Sequence, residues 1–298
     1  MRRPPYLFPC VLLAGLLVFG PLASRTAAQG TAVPDETSVY LAPLAFGRVP
    51  ALPVAPVVLA VVRVSATPDA SVEIPPLPGP FVAGVEQGAF AVHTPDQVKV
   101  IRPEMTGEPS QRLPTPGPDF VLEPGDILIA PDSTTLTFRN TGTVSADALL
   151  AMVLPEGASP PSTSESGATI RELASGVVDD VPSGHATLLL GRFSLAPGAS
   201  ADRDGANLGP ALGYVEEGSV VYTLDEGQAR FILPESGTPV STADPTAAPG
   251  SATTLTRDDA VVEETGTVGE LRNESGDTAS ALFFLITPVG AAAAMPAA

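Results

Sequence analysis

The chain repeats itself. Arg63-Val-Ser-Ala-Thr-Pro-Asp-Ala-Ser71 aligns with Arg192-Phe-Ser-Leu-Ala-Pro-Gly-Ala-Ser200 at an offset of 129 residues, and Val85-Glu-Gln-Gly88 aligns with Val215-Glu-Glu-Gly218 at 130. Gly125-Asp126 and Arg139-Asn140 align with Asp258-Asp259 and Arg272-Asn273 at 133, and the run Ala148 to Pro155 aligns with Ala281 to Pro288 at the same offset. The offset drifts by only four residues while every match keeps its order. Such self-similarity marks a duplication, and it constrains the fold more than any composition does. The copies run over about 56–155 and 184–290. Each is long enough for one packed domain.

Within each copy the apolar segments have strand length. Val57 to Val64, and Ala186 to Leu190 with Arg192-Phe193, are apolar runs that end at a Pro-containing turn. Ala89 to Val92 and Ser219 to Thr223 follow the paired turn glycines Gly88 and Gly218. Asp126 to Ile129 and Ala260 to Val262 form a third type. Ala148 to Leu154 and Ala281 to Thr287 are nearly unbroken, which suits a strand covered on both faces. Short strands spaced by Gly, Pro, Asp and Asn indicate an all-β fold of antiparallel sandwiches or small barrels. Helical periodicity is scarce, and Arg171-Glu172-Leu173 is at most a short helical piece.

The flanks read differently. Residues 1–28 have the form of an export signal: Arg2 and Arg3, an uncharged run from Leu7 to Ala23, then Thr26-Ala27-Ala28 with cleavage before Gln29. Retained, the same segment would be a membrane anchor; Gly15, Gly20 and the short apolar length argue against a spanning helix. Residues 29–55 are Pro-rich and read as extended, 156–183 as a linker, and 291–298 as a disordered tail. Ser241 to Ala252 reads as a loop inserted in the second copy.

Composition removes several functions. There are 33 acidic residues against 15 basic ones, for a formal charge of −18, and after cleavage 12 basic residues face all 33 acids. Nucleic-acid binding needs clustered Lys and Arg to displace counterions, and the balance here is opposite. The single cysteine, Cys10, lies in the signal, so disulfides, thiolate metal sites and Cys nucleophiles are excluded from the exported chain. The result suits a soluble, secreted or cell-surface protein.

The repeated pattern resembles the cupin superfamily, whose barrel is built from two short motifs. The second motif reads Gly125, five residues, Pro131-Asp132-Ser133, two residues, Leu136, three residues, Asn140 in the first copy. In the second copy it reads Asp258, five residues, Glu264-Thr265-Gly266, two residues, Gly269, three residues, Asn273. The first motif opens at Pro197-Gly198-Ala199, degraded to Pro68-Asp69-Ala70 in copy one, and closes at Gly88 and Gly218. The resemblance implies two tandem cupin-like antiparallel β-barrels of the jelly-roll or double-stranded β-helix type. It also implies pairing of the two repeats through sheet edges, with a homodimer as a further option. Metal-bearing cupins use two His and a Glu from the first motif and a His from the second. Here those positions fall near Phe81 and at Leu136 in copy one, and near Asp204, Ala206, Ala211 and at Gly269 in copy two. No standard ligand set is kept, so no cofactor and no metal are expected.

Three functional readings follow. The first is an exported binding, scaffold or interaction protein, with an unidentified small molecule or cell-surface partner. The second is an enzyme (isomerase, hydrolase or oxygenase) with a non-standard site around Asp204, Tyr214 and Arg272 in the second barrel; it requires a polar, open interior there. The third is a carbohydrate-binding module assisted by calcium at acidic pairs such as Asp202/Asp204, Glu216-Glu217 and Glu263-Glu264. The absence of Trp weighs against sugar stacking, and 33 acids make solvated pairs commonplace. His93 and His185 are not repeat equivalents and read as structural. The recurring Arg63/Arg192 and Arg139/Arg272 suit an anion or, more simply, nearby acids.

Overall fold

The computed structural model describes residues 39–103, 109–202, 206–234 and 246–290; the signal, the Asp204 position and the C-terminal tail lie outside them. The described chain is all-β, as the strand-length apolar runs predict. Copy one supplies β2 (Val57–Ala66), β3 (Ser71–Ile74), β4 (Phe81–Gln87), β5 (Phe90–His93), β6 (Lys99–Arg102), β7 (Ser110–Arg112), β8 (Phe120–Leu122), β9 (Ile127–Ala130), β10 (Leu136–Asn140) and β11 (Ala146–Pro155). Copy two supplies β14 (Ala186–Leu195), β15 (Ser200–Asp202), β16 (Ala211–Glu217), β17 (Ser219–Glu226), β18 (Ala229–Ile232), β19 (Ala252–Thr256), β20 (Ala260–Glu263), β21 (Val268–Arg272) and β22 (Ala279–Pro288). Preceding them are β1 (Val39–Val49) for copy one, and β12 (Thr163–Glu165) with β13 (Ala168–Val178) for copy two.

Each barrel is two antiparallel sheets face to face. In barrel one, β3-β10-β5-β8 covers one side of the eight-stranded β12-β13-β2-β11-β4-β9-β6-β7. In barrel two, β15-β21-β17-β19 covers the six-stranded β1-β14-β22-β16-β20-β18. The outer faces of the two large sheets then pack on each other. Alternate residues of one strand therefore belong to different cores. In β2, Ala60, Val62 and Val64 face the interior of barrel one, while Leu59 and Val61 join Leu188, Leu190, Leu212 and Phe284 between the barrels. This explains why β2 and β11 read as continuous apolar runs rather than alternating ones.

The outermost strands differ from expectation. Residues 156–183 are not a linker: β13 forms the neighbour of β2 across ten residue pairs, and Arg171-Glu172-Leu173 is strand rather than helix. Within 29–55, β1 pairs with β14 of the other copy, from Val39↔Leu195 to Val49↔Ala186, with a bulge between Pro43 and Ala45. Each copy thus lends its leading strand to the other's barrel. Polar alternation in β13 hid this, because a strand at the rim of an interface buries only part of one face.

The repeat is obeyed to the level of single atoms. Gly88 (φ +68) and Gly218 (φ +73) both lie in left-handed turns pressed against the start of the last strand, where a Cβ would meet Ala146 or Ala279. Asn140 and Asn273 are fully buried. Their amides donate to Ala66 and Val144 carbonyls in one copy, and to Leu195 and Asp277 carbonyls in the other.

Candidate functional site

The two barrels share a scaffold but not an interior. Barrel one is filled: Phe81, Phe90, Phe138, Leu128, Leu136 and Leu150 are completely buried in one apolar cluster. Strand register identifies what replaces them in barrel two. Phe81 faces Met152 and Ala130, and its counterpart Ala211 faces Leu285 and Glu263. Val62 and Leu150 become Gly191 and Phe283; Val92 and Leu136 become Tyr222 and Gly269. Two of these exchanges conserve volume. A Cβ on Gly191 would collide with the Phe283 ring, and one on Gly269 would lie 2.9 Å from the Tyr222 hydroxyl oxygen. The Phe81-to-Ala211 exchange has no such compensation, and a cavity of about 100 Å³ lies there. Its wall is apolar, with Leu189, Phe193, Leu271, Phe283 and Leu285, and its polar side chains include Asn207, Tyr222 and Glu263. Asn207 Nδ2 donates to Glu263 Oε2 at 2.6 Å, and both residues are buried.

The donor set does not fit the transition metal that the cupin resemblance implies. Phe81 and Leu136 are core side chains with no exposure, and Gly269 gives its space to the Tyr222 ring. Among the described residues no three His, Cys, Asp or Glu converge. His93 is half exposed beside Asp119, with Nδ1 3.0 Å from its Oδ1, and His185 is exposed ahead of β14. The two residues of each described acidic pair are engaged differently. Glu216 joins an ion-pair ring while Glu217 is exposed, and Glu263 faces the cavity while Glu264 binds Arg230 at 2.9 Å. Burial raises the Glu264 carboxyl above the usual range, against the pull of Arg230.

Of the enzyme-reading residues, Asp204 lies outside the described residues. Tyr214 and Arg272 are not brought together. Tyr214 is on β16, buried in the layer between the barrels, and donates its hydroxyl to Asp258 Oδ1 at 2.5 Å. Burial, and then the Asp258 hydrogen bond, push its hydroxyl up to about 12. Arg272 is exposed on the four-stranded sheet, 3.4 Å from Glu270. Arg139 likewise meets Asp119 at 3.3 Å.

At the barrel junction, Arg63 and Arg192 form a ring with Glu86 and Glu216. Arg63 Nη2 reaches Glu216 at 2.8 Å and Glu86 at 3.3 Å; Arg192 reaches Glu216 at 2.5 Å and Glu86 at 2.6 Å. Each Arg therefore binds the acid of its own copy and that of the other. Burial opposes the Arg192 charge, but the two carboxylates outweigh it and hold the guanidinium above its ordinary range. Sequence reasoning singled out the arginines but missed Arg171, Arg257 and Asp258, which stand beside them. The available signal was a paired exchange, since Gly84 and Gly125 of copy one become Tyr214 and Asp258 in copy two.

Fold, junction and repeated motifs together define a protein of two tandem antiparallel β-barrels. Solved structures similar to the chain include a cupin 2 conserved barrel domain protein from Leptotrichia buccalis, 11% identical over 81% of this chain and 89% of that one, with a TM-score of 0.33. They also include the Lactobacillus farciminis oxalate decarboxylase formate complex, 9% identical over 78% of each chain, TM-score 0.43. Vicilin from hazelnut, Corylus avellana, is 12% identical over 78% of this chain and 75% of its own, TM-score 0.39. No protein-family profile and no curated protein matches the sequence.

Proposed function

We propose that the chain is an exported binding or interaction protein in which barrel one is a structural partner and barrel two receives a small, mainly apolar molecule. The observation that carries this reading is the uncompensated exchange of Phe81 for Ala211 at equivalent positions: Phe81 is fully buried in the core of barrel one, and a cavity lies at Ala211 in barrel two. An apolar pocket with a few buried polar groups at its wall suits a ligand whose body is hydrocarbon and whose end makes a hydrogen bond. Phenol matches that description and is a suitable probe. Saturable phenol binding is expected by NMR titration, and Ala211→Phe, which restores the side chain of copy one, is expected to abolish it while the protein stays folded. Absence of saturable binding, or equal binding to Ala211→Phe, overturns the reading. Elemental analysis provides a second arm, because one equivalent of a transition metal per chain is incompatible with it. Export rests on residues 1–28, and N-terminal sequencing of the secreted protein is expected to begin at Gln29.

A further inference from the structure

The ion-pair ring sits on the pseudo-symmetry between the copies, yet the clefts on its two sides are unlike. On the copy-one side Arg63, Glu86, Gln87 and Asp147 line a hollow of about 300 Å³. Both of its carboxylates are engaged, Glu86 in the ring and Asp147 by accepting from Ser65 and Gln87. On the copy-two side a cleft of about 380 Å³ is lined by Arg63, Arg171, Arg192 and Arg257 together with Tyr214 and Asp258. Four of the fourteen arginines of a chain with formal charge −18 therefore meet in one hollow.

The equivalents of these residues in copy one are bland. Arg171 replaces Ala42, Arg257 replaces Pro124, Tyr214 replaces Gly84 and Asp258 replaces Gly125. The last exchange is made against local conformational preference. Gly125 has φ +86, and Asp258 keeps the same turn at φ +71, with the same backbone bond to β16 that Gly125 makes to β4. Aspartate tolerates this left-handed turn, though less freely than the glycine it replaces. Here the Tyr214 hydroxyl clamps its carboxylate.

Donors exceed acceptors in this cleft. Arg192 commits its Nε and Nη2 to Glu216 and Glu86. Arg63 Nε is buried without a hydrogen-bond partner. Arg171 comes no closer than 4.0 Å to Asp258 and faces the Tyr214 hydroxyl, with more than half of its side chain exposed. Arg257 makes no ion pair among the described residues. Glu217 is exposed and lines the cleft with Glu216, so three carboxylates face four guanidinium groups there. Planar guanidinium forks bind planar or tetrahedral oxyanions in bidentate fashion.

We propose that this cleft is an oxyanion site for a small organic molecule carrying a carboxylate or a phosphate, with Arg171 and Arg257 as the binding forks and the Tyr214–Asp258 pair as their fixed wall. The cleft shares Tyr214 with the wall of the barrel-two cavity, but its arginines line the cleft alone, and the proposal does not depend on the reading given to that cavity. Isothermal titration of the purified protein with inorganic phosphate and with succinate, against chloride at matched ionic strength, tests it and distinguishes the two sources of the anion. Saturable binding of at least one of them is expected, weakened at least about tenfold in Arg171→Gln/Arg257→Gln. Both positions are exposed, so the double variant is expected to melt as the parent does. Ala211→Phe is expected to bind the anion unchanged, which separates this site from the cavity. Failure of both anions to saturate, or equal binding by the double variant, overturns the proposal.

Discussion

Asn140 and Asn273 show how much one side chain can carry. Each amide ties the end of the first strand of its barrel to the loop before the last strand, and each Oδ1 accepts a backbone N–H two residues on. Asn140→Ala leaves the buried Ala66 carbonyl without that donor, a loss of about 1–3 kcal/mol in chemical denaturation. Tyr214 carries a pH signature. Its hydroxyl rises from the ordinary 10.0 to about 12 in the folded chain, so the native state holds a proton that the unfolded chain releases. That contribution is complete below about pH 10 and is lost as pH climbs toward 12. Melting temperature across pH 9–12 is expected to fall more steeply for the parent than for Tyr214→Phe. Both asparagines stand out in the repeated sequence. The role of Tyr214 does not, because its partner Asp258 is distant in the chain and occupies a glycine position.

At the scale of elements, the exchanged strands decide the architecture. Although β1 is hydrogen-bonded into barrel two, its Gly47 lies against Ile129 of β9 in barrel one, where a Cβ would come within 2.5 Å. Its counterpart in β13, Gly176, lies against Val262 of β20 in the same way. Ile129 and Val262 are themselves repeat equivalents. Glycine is needed at these two places so that the borrowed strand can cross the donor's own barrel closely. Gly176→Ala is expected to destabilise by about 1–3 kcal/mol through overpacking. Val262→Ala, which removes the colliding methyl, is expected to recover part of this loss, seen as coupling in a double-mutant cycle. None of this exchange was readable from 29–55 or 156–183, since the first is Pro-rich and the second rich in Ser, Pro and Gly, and a partly exposed strand leaves a weak apolar signal.

For the whole molecule, the central layer matters most. Leu59, Val61, Leu149 and Val153 from one copy pack with Leu188, Leu212, Phe284 and Ile286 from the other, so neither barrel can expose its large sheet without losing a core. The borrowed strands and the Arg63–Glu86–Arg192–Glu216 ring cross the same boundary. The ring is partly exposed, which limits its net contribution, and apolar burial carries most of the coupling. Both barrels are therefore expected to unfold together. Calorimetry should give a single transition with equal calorimetric and van't Hoff enthalpies, and two resolved transitions would contradict a shared core.

The sequence by itself determined the duplication, the β character of each segment, the turn glycines and the capping asparagines. These are local or pairwise-periodic properties, set by backbone conformation and by apolar spacing along the chain. Tertiary structure alone decided which barrel is filled and which is hollow, because Ala211 matters only opposite Leu285 and Glu263. It also decided that each leading strand crosses to the other barrel, and that four arginines from separate segments share one cleft. Strand pairing and cavity volume depend on contacts between residues up to about 150 apart in the chain, and no periodicity within a segment encodes those.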